Sequence, residues 1–180
     1  MRVAIIGSHG VGKTELAHAV GKATGFPTRG SVARDVIQGN GFKDADSLMA
    51  APWHQRLFVQ SAIFDEMLER DRILPKGIFD TCPLDILAYS HLYETSSAWL
   101  VRQVIRHVAE NYDLLVYVPI GQERKHDGFR LTGHQREIAE IMRSHLDGFQ
   151  GRNIAIMATT KASLQGRVNE IMEVMRYIRG

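Results

Sequence analysis

The sequence contains a single cysteine, Cys82, so the chain cannot form a disulfide within itself. It also has no apolar run of about 18 residues, the length that a membrane-spanning helix requires. The amino terminus has the pattern of a strand that leads directly into a glycine-rich loop, which is not the pattern of a signal peptide. We therefore expect a cytoplasmic protein that does not contact membranes.

An excess of either charge is missing as well. The 22 basic and 20 acidic residues give a net charge of only +2. Because binding to a phosphate backbone usually needs a basic stripe, we do not expect a nucleic-acid partner, and a kinase of nucleic-acid ends is disfavoured. The eight histidines are scattered without the spacing that metal ligands show, so they predict no metal site.

What is present is the pattern of one α/β domain that spans residues 1–180. Short apolar segments predict strands, and segments of helical periodicity separate them. The predicted strands are Arg2–Ile6, Gly77–Asp80, Asp113–Val118 and Asn153–Met157. The predicted helices are Lys13–Thr24, Ser31–Gln38, a long helix capped by Asp46 or Ser47 that runs toward Arg70, Leu84–Tyr93, Ser97–Glu110, a helix carrying Ile138–Leu146, and a last helix carrying Leu164–Met175. This alternation predicts a parallel sheet covered on both faces, with ligands bound beyond the carboxyl ends of its strands.

The strongest functional signal is the segment from Gly7 to Thr14, GSHGVGKT, which matches the P-loop pattern G-x-x-x-x-G-K-[ST] at every fixed position. Glycines let successive N–H groups converge on phosphate oxygens, and the start of the next helix adds partial positive charge. We expect Lys13 to reach the β- and γ-phosphates of ATP, and the Thr14 hydroxyl to ligate Mg²⁺. The predicted phosphate contacts are Gly7, His9, Gly10, Val11, Gly12, Lys13 and Thr14.

Two acids lie at and just after the end of the second predicted strand. Asp80 ends the strand beside the P-loop, where Mg²⁺ favours a carboxylate that binds it through a coordinated water. Asp85 lies five residues later at a helix start. It either binds the acceptor or favours the helix dipole, and the sequence leaves both open.

Three further segments carry a resemblance to a known family. The segment Phe79–Tyr89, FDTCPLDILAY, is similar to the one that follows the third element in P-loop nucleoside and nucleotide kinases. Asp113–Pro119 resembles their fourth strand, and His126–Arg130 followed by Arg136 resembles their lid. The chain resembles above all the nicotinamide riboside kinase-like group of AAA-type ATP-binding proteins, which includes phage-encoded deoxynucleoside monophosphate kinases.

This resemblance implies a three-layer P-loop fold with five parallel strands in the nucleoside monophosphate kinase arrangement. It also implies a lid, at about residues 121–133, that closes over ATP. Phosphoryl transfer spreads negative charge over the γ-phosphate, and cationic side chains stabilise it where water is excluded. We therefore predict catalytic roles for Arg130 and Arg136; the alternative is a solvated basic loop.

The prediction of the acceptor comes from one position at which this sequence differs from the family that it resembles. Where nucleoside-phosphorylating relatives have a glutamate that takes the acceptor's proton, this chain has Ser31. A phosphate acceptor needs cations instead, which Arg29 and Arg34 would supply. The sequence thus favours a (deoxy)nucleoside monophosphate as acceptor, with Asp85 and a stacking Trp53 as further candidate contacts.

Two other functions stay open. A free nucleoside such as nicotinamide riboside is the alternative acceptor, with Asp35 or Asp80 as base. A nucleotide-dependent switch without kinase activity is the alternative of another class. The expected partner is a small nucleotide or nucleoside, and a homodimer is compatible with the sequence.

Overall fold

A computed structural model describes residues 1–121, 133–149 and 151–180 of the chain. Five parallel strands form one sheet with the order β2-β3-β1-β4-β5. The strands are β1 (Arg2–Ile6), β2 (Thr28–Arg29), β3 (Gly77–Asp80), β4 (Leu114–Tyr117) and β5 (Ala155–Ala158). Because β1 lies at the centre between β3 and β4, the loop that follows it opens at the middle of the carboxyl edge of the sheet.

Eight helices cover the sheet within the described residues, together with a 3₁₀ turn at Asp147–Phe149. They are α1 (Lys13–Thr24), α2 (Ala33–Gly39), α3 (Ala45–Met49), α4 (Trp53–Ile73), α5 (Pro83–Leu92), α6 (Ala98–Asn111), α7 (Gln135–Leu146) and α8 (Leu164–Arg179).

Alternating side chains of the central strand face two separate cores. Val3 and Ile5 pack with α1 and α8 on one face of the sheet. Ala4 and Ile6 pack on the other face, in a larger core that takes side chains from α2 to α7. This arrangement confirms the predicted three-layer α/β fold, in which strands buried on both faces are apolar throughout.

The long helix predicted to run from Asp46 or Ser47 toward Arg70 is wrong, because the structure has two helices there. Asp44 caps the short α3, where its carboxylate accepts from the Ser47 N–H at 2.8 Å. Pro52, with φ −56° and ψ 147°, stands before α4. Proline has no N–H for a helical hydrogen bond and disfavours helical geometry in the residue before it, so one helix cannot run through this point.

The strand β2 was expected as part of the family's sheet, but no pattern in the sequence located it. It has only two residues, which is too short for an alternation of apolar and polar side chains to show. It pairs with β3 through Thr28 and Arg29. Its place beside β3 decides where the Arg29 side chain lies.

Among the described residues, no helix has both the length and the apolar character needed to cross a membrane.

Candidate active site

The glycine loop lies between the end of β1 and the start of α1. Gly10 and Gly12 have φ values of 74° and 87°, which L side chains rarely adopt. Gly12 is also the N-cap of α1, and no side chain from the described part of the chain caps that helix. The first N–H groups of α1 are thus left without a capping side chain, which is the arrangement that binds a phosphate.

Gly7 is fixed by both its backbone and its surroundings. Its φ is 147°, and a Cβ atom added to it would lie 2.5 Å from the Val118 carbonyl oxygen. The loop therefore passes too close to the end of β4 for any side chain. Packing alone therefore requires glycine at this position.

Replacing Gly7 with alanine should therefore destabilise the fold. We expect Gly7→Ala to lower the free energy of unfolding by about 2 kcal/mol or more, because of the clash and the strained φ. Gly39→Ala is the matched control: an added Cβ meets nothing within 4 Å there, and Gly39 is a helical residue. The control should be neutral or stabilising by up to about 1 kcal/mol. Urea unfolding of the two variants measures the difference, and equal stabilities would contradict this account.

Lys13 extends over the loop rather than away from it. Its Nζ donates to the carbonyl oxygens of Gly7 and Ser8 at 2.7 and 2.8 Å. The ammonium group is thereby kept on the side of the loop where the phosphates of a nucleotide would lie.

Thr14 and Asp80 are joined across the site. The Thr14 hydroxyl donates to Asp80 Oδ2 at 2.6 Å, which links the first turn of α1 to the end of β3. Asp80 is buried, and its Oδ1 has no hydrogen-bond partner among the described residues. A hydroxyl and a buried carboxylate with an unused oxygen are the donors expected beside a Mg²⁺ ion.

Asp85 is a second buried carboxylate near the first. Its Oδ2 accepts from the Cys82 N–H at 3.0 Å, while its Oδ1 has no partner within the described ranges. Burial raises the pKa of the Asp85 carboxyl to about 6, Asp80 acts in the same direction, and Lys13 acts against them. At neutral pH Asp85 is therefore ionised but more basic than an ordinary carboxylate.

These residues open onto one cavity of about 450 Å³. Besides the polar groups already described, much of its lining is apolar and comes from the larger core. The apolar and aromatic lining residues are Ala33, Ile37, Ala45, Ile63, Met67, Ile86, Tyr89 and Tyr93. A cavity of this size suits a nucleoside-sized molecule.

A family model described as AAA domain matches residues 2–167. The chain belongs to the AAA domain family. No curated protein sequence gives a significant match to it.

Solved structures show the fold that this AAA domain shares. It is similar to a NadR protein in complex with NR, with a TM-score of 0.74 and 15% identity over 99% of this chain and 50% of the other, so it spans about half the length of that protein. It is also similar to deoxyadenosine kinase from M. mycoides, with a TM-score of 0.66 and 13% identity over 98% of this chain and all of the other. Thymidylate kinase from Candida albicans gives a TM-score of 0.64 and 12% identity, over 99% of this chain and 92% of that one. The predicted resemblance to P-loop nucleoside and nucleotide kinases is confirmed at the level of the fold.

Several predicted site residues of the AAA domain do meet at the cavity. The predicted residues that line it are His9, Lys13, Thr14, Arg34, Asp80 and Asp85. Gly7, Gly10, Val11 and Gly12 belong to the adjoining loop, and the Val11 carbonyl accepts from Arg167. The phosphate and acceptor roles of these residues remain predictions that their positions favour.

Arg29 lies in a buried cluster beside β3. Its guanidinium is 3.5 Å from Asp71 Oδ1 and lies over the Phe79 ring, 4.9 Å from the centroid. Arg29 is not among the residues that line the cavity. The short strand β2 places it there, and its contacts favour a structural role over the predicted contact with an acceptor phosphate.

Neither Trp53 nor Arg136 is among the described residues that line the cavity. The Trp53 indole N–H donates to the Glu94 carbonyl oxygen at 3.0 Å, and the side chain is half exposed. Arg136 is exposed in the first turn of α7. Arg130 and most of the predicted lid lie outside the described residues.

Gln60 is a cavity residue that sequence analysis missed. It is 4% exposed on α4 and lines the cavity. The polar side chain can therefore hydrogen-bond to a molecule bound in the cavity. The signal was present in the sequence as one polar residue within an apolar helical stripe that includes Ile63 and Met67.

Proposed function

We propose that this AAA domain is a kinase that transfers the γ-phosphoryl group of ATP, with Mg²⁺, to a hydroxyl group of a nucleoside-sized acceptor. One observation carries the proposal: a single cavity is lined both by Lys13, Thr14 and Asp80 of the phosphate-binding end and by the apolar side chains of the larger core. The shared fold with nucleoside and nucleotide kinases supports it.

The loop and α1 supply the positive end of the site. N–H groups at the start of α1 and the Lys13 ammonium bind and orient the phosphate tail. The Thr14 hydroxyl and the Asp80 carboxylate would hold the metal ion, directly or through water. Mg²⁺, when bound, supplies charge neutralisation to the phosphates.

Asp85 supplies the base. Its unpartnered oxygen and raised pKa let it accept the proton of an acceptor hydroxyl as the oxygen attacks phosphorus. Asp80 is less suited to this task because it already accepts the Thr14 hydroxyl. In this proposal the proton moves to Asp85 while Lys13 stabilises charge on the transferred group.

The charges that line the cavity favour a hydroxyl acceptor over a phosphate acceptor. Within the described residues the cavity has the cations Lys13 and Arg34 and the carboxylates Asp35, Asp80 and Asp85. Since the ATP tail itself is strongly anionic, a second phosphate group would meet little cationic surface in this part of the chain. The first candidate for the acceptor is therefore a free nucleoside.

A nucleoside monophosphate is the second candidate. Arg34 lines the cavity and would bind a phosphate in a bidentate manner. Ser31 also lines it, in place of the glutamate expected of nucleoside-phosphorylating relatives.

A screen of acceptors separates the two candidates. ADP release is measured with Mg²⁺ and ATP over free nucleosides and their monophosphates. We expect at least about tenfold higher kcat/KM with a free nucleoside. The reason is that, besides Lys13, an acceptor phosphate would find only Arg34 as a basic residue among the described residues of the cavity, together with three carboxylates. Turnover confined to monophosphates would overturn the hydroxyl assignment, and ATP hydrolysis unaffected by every acceptor would overturn the kinase proposal.

Gln60→Leu tests whether the acceptor binds at the part of the cavity that Gln60 lines. It should raise the KM of the acceptor by about tenfold, through loss of one hydrogen bond, and leave the KM of ATP unchanged.

A further inference from the structure

Thr81 connects the two carboxylates of the site through an unusual backbone conformation. It follows Asp80 directly and has a φ of 77°. A β-branched residue rarely adopts this left-handed conformation, because its side chain crowds the backbone there. Its N–H donates to the Ile5 carbonyl oxygen at 3.1 Å, so the chain turns only after the ladder between β1 and β3 is complete. Something outside the turn must hold Thr81 in this state.

Arg29 makes the contact that restrains the turn. Its Nη2 donates to the Thr81 carbonyl oxygen at 3.0 Å. The Arg29 side chain is itself buried, paired with Asp71 and stacked on the Phe79 ring. A guanidinium fixed on two sides has little freedom to move, so the carbonyl that it holds is fixed as well.

Asp71 is in turn held by groups from other elements. Its Oδ2 accepts the Tyr112 hydroxyl at 2.7 Å and lies 2.9 Å from His107 Nε2. Arg2 approaches Oδ1 at 3.6 Å and donates to the Asp71 carbonyl oxygen at 2.9 Å. The cluster thereby joins α4 and α6 to the sheet and holds the Arg29 side chain in place.

We propose that Arg29 is a positioning residue for phosphoryl transfer. By holding the Thr81 carbonyl it maintains the left-handed turn that sets Asp80 against Thr14 and brings Asp85 to the cavity. This inference rests on the proposed kinase function, but the turn and its restraint are features of the fold.

Arg2 provides a matched comparison within the same cluster. Like Arg29, it pairs with Asp71 Oδ1, and its guanidinium also lies 4.9 Å from the centroid of Phe79. Among the described residues only Arg29 of these two donates to Thr81. The two variants Arg29→Met and Arg2→Met therefore remove similar buried charges but only one of them releases the turn.

The first measurement is the kcat of the two variants. We expect Arg29→Met to lower kcat by about 10- to 100-fold, the effect of displacing a reacting group by about 1 Å, with a smaller change in the KM of ATP. Arg2→Met should change kcat by less than about threefold. Equal losses of kcat in both variants would mean that Arg29 acts only through general stability, and would overturn the proposal.

The second measurement is a rescue at Thr81. Glycine adopts a positive φ without a restraint, whereas alanine does not. In the Arg29→Met background, Thr81→Gly should recover at least about tenfold of the lost kcat, and Thr81→Ala should recover none. The same two substitutions in the wild-type background correct for loss of the Thr81 hydroxyl. Recovery by neither, or equally by both, contradicts a role of Arg29 in holding the turn.

Further variants and a binding measurement cover the cases in which Arg29→Met does not fold or no acceptor is found. If Arg29→Met does not fold, Arg29→Lys takes its place, since it keeps a charge beside Asp71 but lacks the planar fork. If no acceptor is phosphorylated by the wild-type chain, the kinase proposal has failed by itself. The same variants are then compared by calorimetry of ATP binding with and without Mg²⁺. This measurement is informative because the turn also positions Asp80. A Mg²⁺ dependence that is lost in Arg29→Met and restored by Thr81→Gly supports the inference, and an unchanged one overturns it.

Discussion

Lys13→Met should abolish phosphoryl transfer, lowering kcat by about 10³-fold or more. The Gly7 and Ser8 carbonyls hold the ammonium group beside the loop. It is the main fixed cation of the described cavity that can stabilise the negative charge that develops on the transferred phosphoryl group. ATP binding should weaken as well, by about tenfold or more, because in the proposed complex the lysine also contacts the phosphates. Steady-state kinetics and calorimetry with Mg²⁺ and ATP measure the two effects.

Lys22→Met is the control for this prediction. It makes the same substitution on the same helix, in the last turn and exposed to solvent. It should leave kcat and ATP affinity within about twofold of wild type, since a distant exposed charge is screened. Wild-type turnover by Lys13→Met would remove the basis for calling the glycine loop a phosphate site.

Asp85→Asn should separate activity from stability. Loss of the base is expected to lower kcat by about 10²- to 10⁴-fold. In wild type, kcat/KM for the acceptor should rise with pH through an apparent pKa of about 6, the value to which burial raises this carboxyl. The variant should lose that limb of the profile.

The same substitution should stabilise the fold above pH 6. The folded pKa of Asp85 is raised from 3.8 to about 6, so the folded chain binds more protons than the unfolded chain between these values. The free energy of unfolding therefore falls as pH rises from about 4 to 6, by about 3 kcal/mol at most from this group. Asparagine removes the buried charge and keeps an oxygen for the Cys82 N–H. Urea unfolding at pH 5 and pH 8 should show that Asp85→Asn gains stability mainly at pH 8.

Asp35→Asn tests the alternative base. Asp35 also lines the cavity but is exposed, and Arg70 lies 3.8 Å from it. We expect its kcat to fall by less than about fivefold, because an exposed carboxylate beside Arg70 is poorly placed to take a proton from a hydroxyl bound in the cavity. A larger loss in Asp35→Asn than in Asp85→Asn would reverse the assignment.

The sequence predicts well the features that depend on neighbours along the chain. The glycine loop, the strand before it and the helix after it are local patterns, and the structure has them at Arg2–Ile6 and Lys13–Thr24. Asp80 and Asp85 were found because strand ends and helix starts can be located from composition. Their proximity to Thr14 follows from a rule of parallel sheets rather than from any one motif.

The remaining features depend on tertiary contacts that no local pattern contains. Arg29 was predicted to face the acceptor, but the two-residue strand β2 turns it toward Asp71, 42 residues further along the chain. Trp53 donates to Glu94, which is equally remote in sequence. Gln60 was missed because a polar residue in a helix is usually exposed, and only the cavity shows why this one is buried.

The cavity wall has a consequence for how this protein changes over evolutionary time. Ile63 and Met67 line the cavity and also belong to the larger core, whereas the helix that carries the phosphate loop packs into the other core. A mutation at these positions that changes the proposed acceptor would therefore also disturb the larger core, while α1 keeps its packing in the other core. New specificities should arise together with compensating substitutions in α4 and α5, and directed evolution of this scaffold would do well to begin from a stabilised parent.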